Sequence, residues 1–315
     1  MTLRFAAGAL ACLALGSSHA SPGTRQAVWL NATQRAGWAP GYAFTATEVR
    51  DTLWIFGHHD GNWFSADGRQ WTRDSARSEL RSGYNVFVVM NGAIFAIGGA
   101  EQQNRPSRRS VWRSLDGRSW ELLTDHPGWS ARVFHTAVVH DGRIWLLGGY
   151  DGANYTSDVW SSSNGVNWQL ATSSAPWKAR CMHSSAAFDG KLWVLGGRRD
   201  IESWWETDFN DVWSTVDGVR WQRATGGAPW SKRYGASTLP WRGRLWLMGG
   251  TRFQRNNEVW SSADGSTWSF EGRAAWSPRF GLASAVFRDR VWVLGGKEGG
   301  GRFRNDVWFL DVRAR

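Results

Sequence analysis

Short apolar runs that close on glycine recur along the chain: Leu53-Trp54-Ile55-Phe56-Gly57, Ile94-Phe95-Ala96-Ile97-Gly98, Ile144-Trp145-Leu146-Leu147-Gly148, and counterparts closing at the doublets that end in Gly197, Gly250 and Gly296. Apolar runs this short, bounded by turn residues, read as buried strands; helices need ten residues or more. Around each run lie three further strand-like segments. In the third copy these are Val133 to Val139 before it, then Val159 to Ser162 and Trp168 to Ala171 after it. The last two are joined by a tight turn, which is Asp67-Gly68, Asp116-Gly117, Asn164-Gly165, Asp217-Gly218 and Asp264-Gly265 in successive copies. Such pairs tolerate the positive φ that a two-residue hairpin demands. The pattern predicts six all-β units of four antiparallel strands, with period 41 to 53 residues.

Tryptophan sets the register. One precedes the glycine by three residues in five copies (Trp54, Trp145, Trp193, Trp246, Trp292), and a second follows it in all six (Trp63, Trp112, Trp160, Trp213, Trp260, Trp308). A third lies eight residues further on, and a fourth eight or nine beyond that. The sixth copy ends before its third tryptophan, but Trp29 and Trp38 supply the missing spacing at the other end of the chain. Val28 to Asn31 is therefore expected to be the outer strand of the last unit. A six-bladed β-propeller closed by the N-terminal strand joining the C-terminal blade removes both exposed sheet edges. Of 25 tryptophans, 22 fall in this ladder, and large flat side chains suit the wedges between twisted sheets.

These motifs resemble kelch repeats. The Gly-Gly doublets, the Asn210-Asp211-Val212-Trp213 and Asn305-Asp306-Val307-Trp308 strand starts and the terminal tryptophan carry the likeness across nearly all of residues 21–315. Trp replaces the usual tyrosine, and hairpins such as Ser262-Ala263-Asp264-Gly265-Ser266-Thr267-Trp268 look like sialidase Asp-boxes shortened by one residue. The resemblance implies fold more than function. Copper-radical oxidases among kelch propellers need a two-Tyr, two-His, one-Cys constellation, which no motif here supplies. Size, export and six blades also resemble N-acetylneuraminate epimerases, which implies one acid/base residue and a carboxylate clamp. Glu206 or His58 would serve as that acid/base.

The remaining composition places the chain outside the cytosol. Met1 to Ala20 reads as a signal peptide, with a basic start, twelve mostly apolar residues and a small-x-small site at Ser18-His19-Ala20,. Residues 21–315 would then be the exported domain, periplasmic or secreted, holding one cysteine, Cys181, and so no internal disulfide,. No other run is apolar and long enough to span a membrane. The net charge of +10 comes from 37 basic residues, 33 of them Arg. Export and scattered basic residues argue against nucleic acid and for acidic cell-surface material.

Length variation marks the working face. From the first glycine of each copy to the next tryptophan the spacings are 6, 14, 12, 17, 11 and 13, while every other spacing is constant within one residue. Insertions in repeat proteins collect on the binding face. Four first strands begin with Arg132, Arg180, Arg233 and Arg279, each 16 residues before the glycine doublet, with Gly41 and Ser82 at that register in the first two copies. A guanidinium ring at an axial mouth would bind an anionic sugar or an acidic protein segment. Arg198, Arg199, His59 and Tyr150 follow glycines on the same face, and Trp204 and Trp205 in the longest loop belong to no ladder position. His135 and His183 share an inner-strand register and are expected in the core. The His58-His59 pair has no third metal ligand in view, so neither metal nor cofactor is expected. The function expected is a monomeric, non-catalytic binding propeller; the alternatives are the epimerase-like mutarotase and a protein-interaction scaffold of the cell envelope.

Overall fold

The structure, a computed structural model, describes residues 26–75, 84–100, 109–201, 207–251 and 255–313. It contains 24 strands in six four-stranded antiparallel sheets, and no α-helix among the described residues. Blade 1 is β2 (Thr45–Val49), β3 (Thr52–Phe56), β4 (Trp63–Ser65) and β5 (Thr72–Arg73). Blade 2 is β6 (Val86–Met90), β7 (Ala93–Ile97), β8 (Val111–Ser114) and β9 (Glu121–Thr124). Blade 3 is β10 (Thr136–His140), β11 (Arg143–Tyr150), β12 (Tyr155–Ser162) and β13 (Gln169–Thr172). Blade 4 is β14 (Ser184–Phe188), β15 (Lys191–Leu195), β16 (Val212–Thr215) and β17 (Gln222–Thr225). Blade 5 is β18 (Ser237–Trp241), β19 (Arg244–Met248), β20 (Glu258–Ser262) and β21 (Ser269–Arg273). Blade 6 is β22 (Ala283–Phe287), β23 (Arg290–Lys297) and β24 (Phe303–Arg313), completed by β1 (Gln26–Thr33), which pairs with β24 from Gln26↔Arg313 to Thr33↔Val307. The expected closure is the one observed.

The ring is held at two radii. Near the axis, each first strand contacts that of the next blade and β22 returns to β2. A chain of backbone bonds crosses the blade junctions: Met182 donates to Phe134, Gly235 to Met182, Gly281 to Gly235 and Ala43 to Gly281, at 2.8–3.0 Å. The six equivalent residues, Ala43, Tyr84, Phe134, Met182, Gly235 and Gly281, all have φ between 52° and 62°. A left-handed residue turns the chain sharply enough to present its N–H to one neighbour and its C=O to the other.

Further out, the core is divided into six clusters, each shared by two consecutive blades. Trp38, Trp129, Trp177, Trp230 and Trp276, on the connections entering five blades, are 0–1% exposed. Each meets the tryptophan of its blade's outer strand edge-on, with ring centroids 5.7–6.3 Å apart. The hairpins lock blade to blade. In each, a Ser or Thr hydroxyl and the Asp or Asn carbonyl oxygen accept the turn's N–H groups, as Ser262 accepts from Gly265 at 2.8 Å and Asp264 from Thr267 at 2.8 Å. The hairpin glycine then lies flat on an aromatic ring of the preceding blade: Gly265 on Trp193, Gly218 on Trp145, Gly68 on Trp292.

A Cβ at Gly265 would sit 2.0 Å from the Trp193 ring, whereas one at Gly190, with comparable φ, meets nothing within 4 Å. Both alanine variants incur about 1–3 kcal/mol of backbone strain, so Gly265→Ala is expected to lower the urea midpoint well beyond Gly190→Ala. Equal midpoints would show that the hairpin does not bear on the neighbouring blade.

Candidate functional site

The four register arginines do not line the mouth. Arg132, Arg180, Arg233 and Arg279 are 0–1% exposed and turn inward. A buried guanidinium must find a partner for each donor, and the repeat supplies them. In blade 3, Arg132 Nε donates to Ser130 O, Nη1 to Gly148 O and Asp158, and Nη2 to Asp158 and the Ser130 hydroxyl. Arg180 pairs with Asp211 at 2.6 Å, Arg233 with Glu258 at 2.6 Å and Arg279 with Asp306 at 2.5 Å, each also donating to the first glycine carbonyl of its doublet. The same carboxylates accept the indole N–H of Trp160, Trp213, Trp260 and Trp308. Burial alone would raise the Asp158, Asp211 and Glu258 carboxyls; the guanidinium bonds outweigh it and hold all three below their ordinary value. The expected guanidinium ring is thus corrected to a set of internal clamps joining first strand, glycine turn and third strand. The sequence carried the signal: the four copies that begin with Arg are the four with Asp or Glu two residues before the second tryptophan.

Blade 1 departs from this pattern. Gly41 stands in place of the arginine and Gly61 in place of the acid, and His58 with Asp60 fills the space. His58 is buried, its Nδ1 is 2.5 Å from Asp60, and Asp60 also accepts from Trp63 Nε1 at 2.9 Å and Ala39 N at 2.8 Å. His58 Nε2 faces Gly41, where a Cβ would come within 2.4 Å. Burial pushes the His58 ring below its ordinary value, against the opposing pull of Asp60. His58 is therefore a clamp residue, while His59 beside it, ring centroid 4.3 Å away, is exposed.

A different register, two residues after the first glycine, holds His59, Ala100, Tyr150, Arg198, Thr251 and Lys297; His59 is exposed and Tyr150, Arg198 and Lys297 are half-buried, whereas Ala100 and Thr251 are buried. Tyr150, Arg198, Thr251 and Lys297 pair there with Val133, Cys181, Tyr234 and Phe280. Arg198 is bound to Asp208 at 2.9 Å and lies over the Tyr234 ring at 3.9 Å; Arg199 is exposed. Tyr150 lies 4.9 Å from Tyr155, whose hydroxyl accepts from Ile201 N at 2.7 Å and is pushed up to about 12 chiefly by burial. Cys181 is a buried thiol, pushed up to about 12 by burial. Trp204, Trp205 and Glu206 lie outside the described residues.

A cavity of about 420 Å³ opens beside blade 1, lined by Gly41, Tyr42, His59, Tyr84, Lys297 and Phe303 among others. It forms where the arginine is missing and the β3–β4 connection is shortest. Tyr42 and Phe303 stack with centroids 5.3 Å apart, and Lys297 Nζ lies 5.5 and 5.2 Å from them. Burial and a hydrogen bond with Tyr42 raise the Tyr84 hydroxyl above its ordinary value, so it stays a neutral donor. Lys297 has no carboxylate within ion-pair distance among the described residues. Sequence reading passed over Lys297, Tyr42 and Tyr84; Lys297 shares the register after the doublet, while Tyr42 and Tyr84 lie one and two residues after the clamp-arginine position of their copies.

A family model described as the KLHDC2/KLHL20/DRC7 Kelch-repeats domain matches residues 43–216, more than half of the chain. The chain is a kelch-repeat protein. Among solved structures, one titled "Structure of YjhT" is similar, with TM-score 0.73 and 14% identity, covering 90% of this chain and 100% of that one. At that identity the likeness shows the fold alone, one shared by 654 matching chains. No curated protein matches in sequence. As a kelch propeller, the protein has the architecture of a binding scaffold, and no helix among the described residues is long and apolar enough to cross a membrane.

Two predictions test the clamps. Arg180→Met leaves the half-buried Asp211 without its buried counter-charge and is expected to cost about 3 kcal/mol in urea unfolding,. Adding Asp211→Asn should recover part of it, and strictly additive losses would contradict the pairing. The second concerns His135 and His183, buried and pushed down to about 3 by burial first and then by Arg132 and Arg180. Unfolded, both take up protons below about pH 6.5; folded, they do not. Together with His58 they contribute stability that is full above pH 6.5 and lost as the pH falls. The urea midpoint should therefore decline between pH 6.5 and 4.5, before carboxylates titrate; a flat profile there would exclude it.

Proposed function

We propose that the protein is exported through residues 1–20 and binds an anionic sugar at the mouth of the propeller, without chemistry. One observation supports the reading above others: the Lys297 ammonium stands beside the Tyr42–Phe303 stack in a concave site, with no neutralising carboxylate among the described residues. The site's volume falls in the range of small-ligand pockets, about 300–1,000 Å³. Aromatic faces suit the apolar side of a pyranose, and Lys297, His59 and the tyrosine hydroxyls suit its carboxylate and hydroxyls. The excess of positive charge over the whole chain favours approach of acidic ligands.

The epimerase-like alternative gains little support. Of its two acid/base candidates, His58 is buried in the clamp position and Glu206 lies outside the described residues. The envelope-scaffold alternative would use the same face for an acidic protein segment, but a concave pocket of this volume suits a sugar better than an extended chain.

Titration calorimetry with galacturonate and galactose tests the reading. The acidic sugar should bind and the neutral one bind at least tenfold more weakly, with Lys297→Met removing the difference. Equal affinity for the two sugars, or an unchanged preference in the variant, would overturn it.

A further inference from the structure

The mouth carries a second cation that the first cavity does not reach. Beyond Tyr42 the aromatic wall continues through Phe280 to Tyr234, with successive centroids 5.9 and 5.8 Å apart and planes inclined 64° and 68°. Arg255 lies over the Phe280 ring, with its guanidinium carbon 5.4 Å from the centroid. Its Nε is enclosed yet has no hydrogen-bond partner, and no carboxylate lies within ion-pair distance of it among the described residues. Several other arginines differ. Arg132, Arg180, Arg198, Arg233, Arg279 and Arg304 all pair with a carboxylate.

Lys297 and Arg255 are thus two cations without a carboxylate partner among the described residues, and both adjoin one aromatic residue, Phe280. The backbone of Lys297 is bonded to Phe280 in both directions, at 2.9 and 3.2 Å, while Arg255 covers the Phe280 ring. Yet neither Phe280, Tyr234 nor Arg255 lines the 420 Å³ cavity. A ligand confined to that cavity leaves the second cation unused. A ligand with a second acidic unit, continuing along the aromatic wall, uses both.

Resting on the anionic-sugar reading above, we infer that the site takes an acidic oligosaccharide rather than a single acidic sugar. One carboxylate meets Lys297 in the cavity, and that of a neighbouring unit meets Arg255, with the intervening ring over Phe280. Each station alone is a single charge contact with modest affinity; linking two such contacts on one chain raises affinity without any new kind of interaction. Arginine at the outer station suits a carboxylate presented edge-on, since its fork can bind both oxygens.

The test is affinity against chain length. Galacturonate and mannuronate, each as monomer, dimer and tetramer, are titrated into the full exported chain, its Arg255→Met and Arg255→Lys variants and Lys297→Met, each checked by melting temperature. In at least one series the native protein should bind dimer tenfold or more tighter than monomer. Arg255→Met should reduce that ratio to about twofold while leaving monomer affinity unchanged, Arg255→Lys should restore part of it, and Lys297→Met should weaken monomer and dimer alike. A ratio near one in the native protein, or one unchanged by Arg255→Met, overturns the oligosaccharide assignment while the single-sugar reading survives. No binding of any acidic sugar removes both. Tetraglutamate bound more tightly than either tetramer would transfer the two stations to an acidic peptide.

Discussion

Burying a guanidinium in a β-propeller is costly unless its charge is paired and its donors find acceptors, and this constraint organises four of the six blades. Arg132 and Arg279 each place all five donors on a serine carbonyl, a serine hydroxyl, a glycine carbonyl and both oxygens of a carboxylate. The carboxylate in turn takes the indole N–H of the tryptophan two residues on. One side chain thereby fixes the start of the first strand, the turn after the second and the start of the third. Glycine is needed at the doublet because the turn has positive φ there and its carbonyl must face the guanidinium. The charge is costly to bury and, once paired, makes the blade's register difficult to shift.

Much of this was legible in the sequence, because a repeat is its own alignment. Six glycine-closed runs and 22 tryptophans in register specified blade number, strand order and the pairing of β1 with β24. The arginines were harder to read. Their regular spacing showed that they share a role but not which way they point, and a ring of basic residues near an axis reads equally well as a binding site or as a set of struts. Burial decides it, and burial follows from the acid at a matching position rather than from the arginine itself. His59, Arg198 and Tyr150 reach the mouth because they follow the glycine turns. Lys297, Tyr42 and Tyr84 escaped notice since only Lys297 shares that register, and the aromatic contact between Tyr42 and Phe303 joins residues far apart in the chain.

The candidate site lies where the repeat fails. Blade 1 has lost both members of the ion pair, and His58 with Asp60 holds the third strand's tryptophan instead, at the cost of any side chain at Gly41. A cavity of about 420 Å³ lies beside the exchange. Lys297, a cation with no carboxylate within ion-pair distance among the described residues, lines it. The scaffold does without the arginine clamp in two blades, where Gly41 and Ser82 hold its register, and so leaves room for asymmetry in a symmetrical fold.

The closure of the ring bears on the order of events as the chain is made. Asn31 and Val307, whose strands complete blade 6, are 276 residues apart in sequence. The segment synthesised first must therefore wait, unpaired, until the last strand emerges. Blades 1 to 5 consist of contiguous sequence and can assemble in turn, but the sixth is a latch that engages only when β1 and β24 meet. Until then Trp29 lacks the edge of Trp276, and an open five-bladed arc exposes the two faces that would otherwise meet. The latch makes completeness of the chain a condition for completeness of the fold.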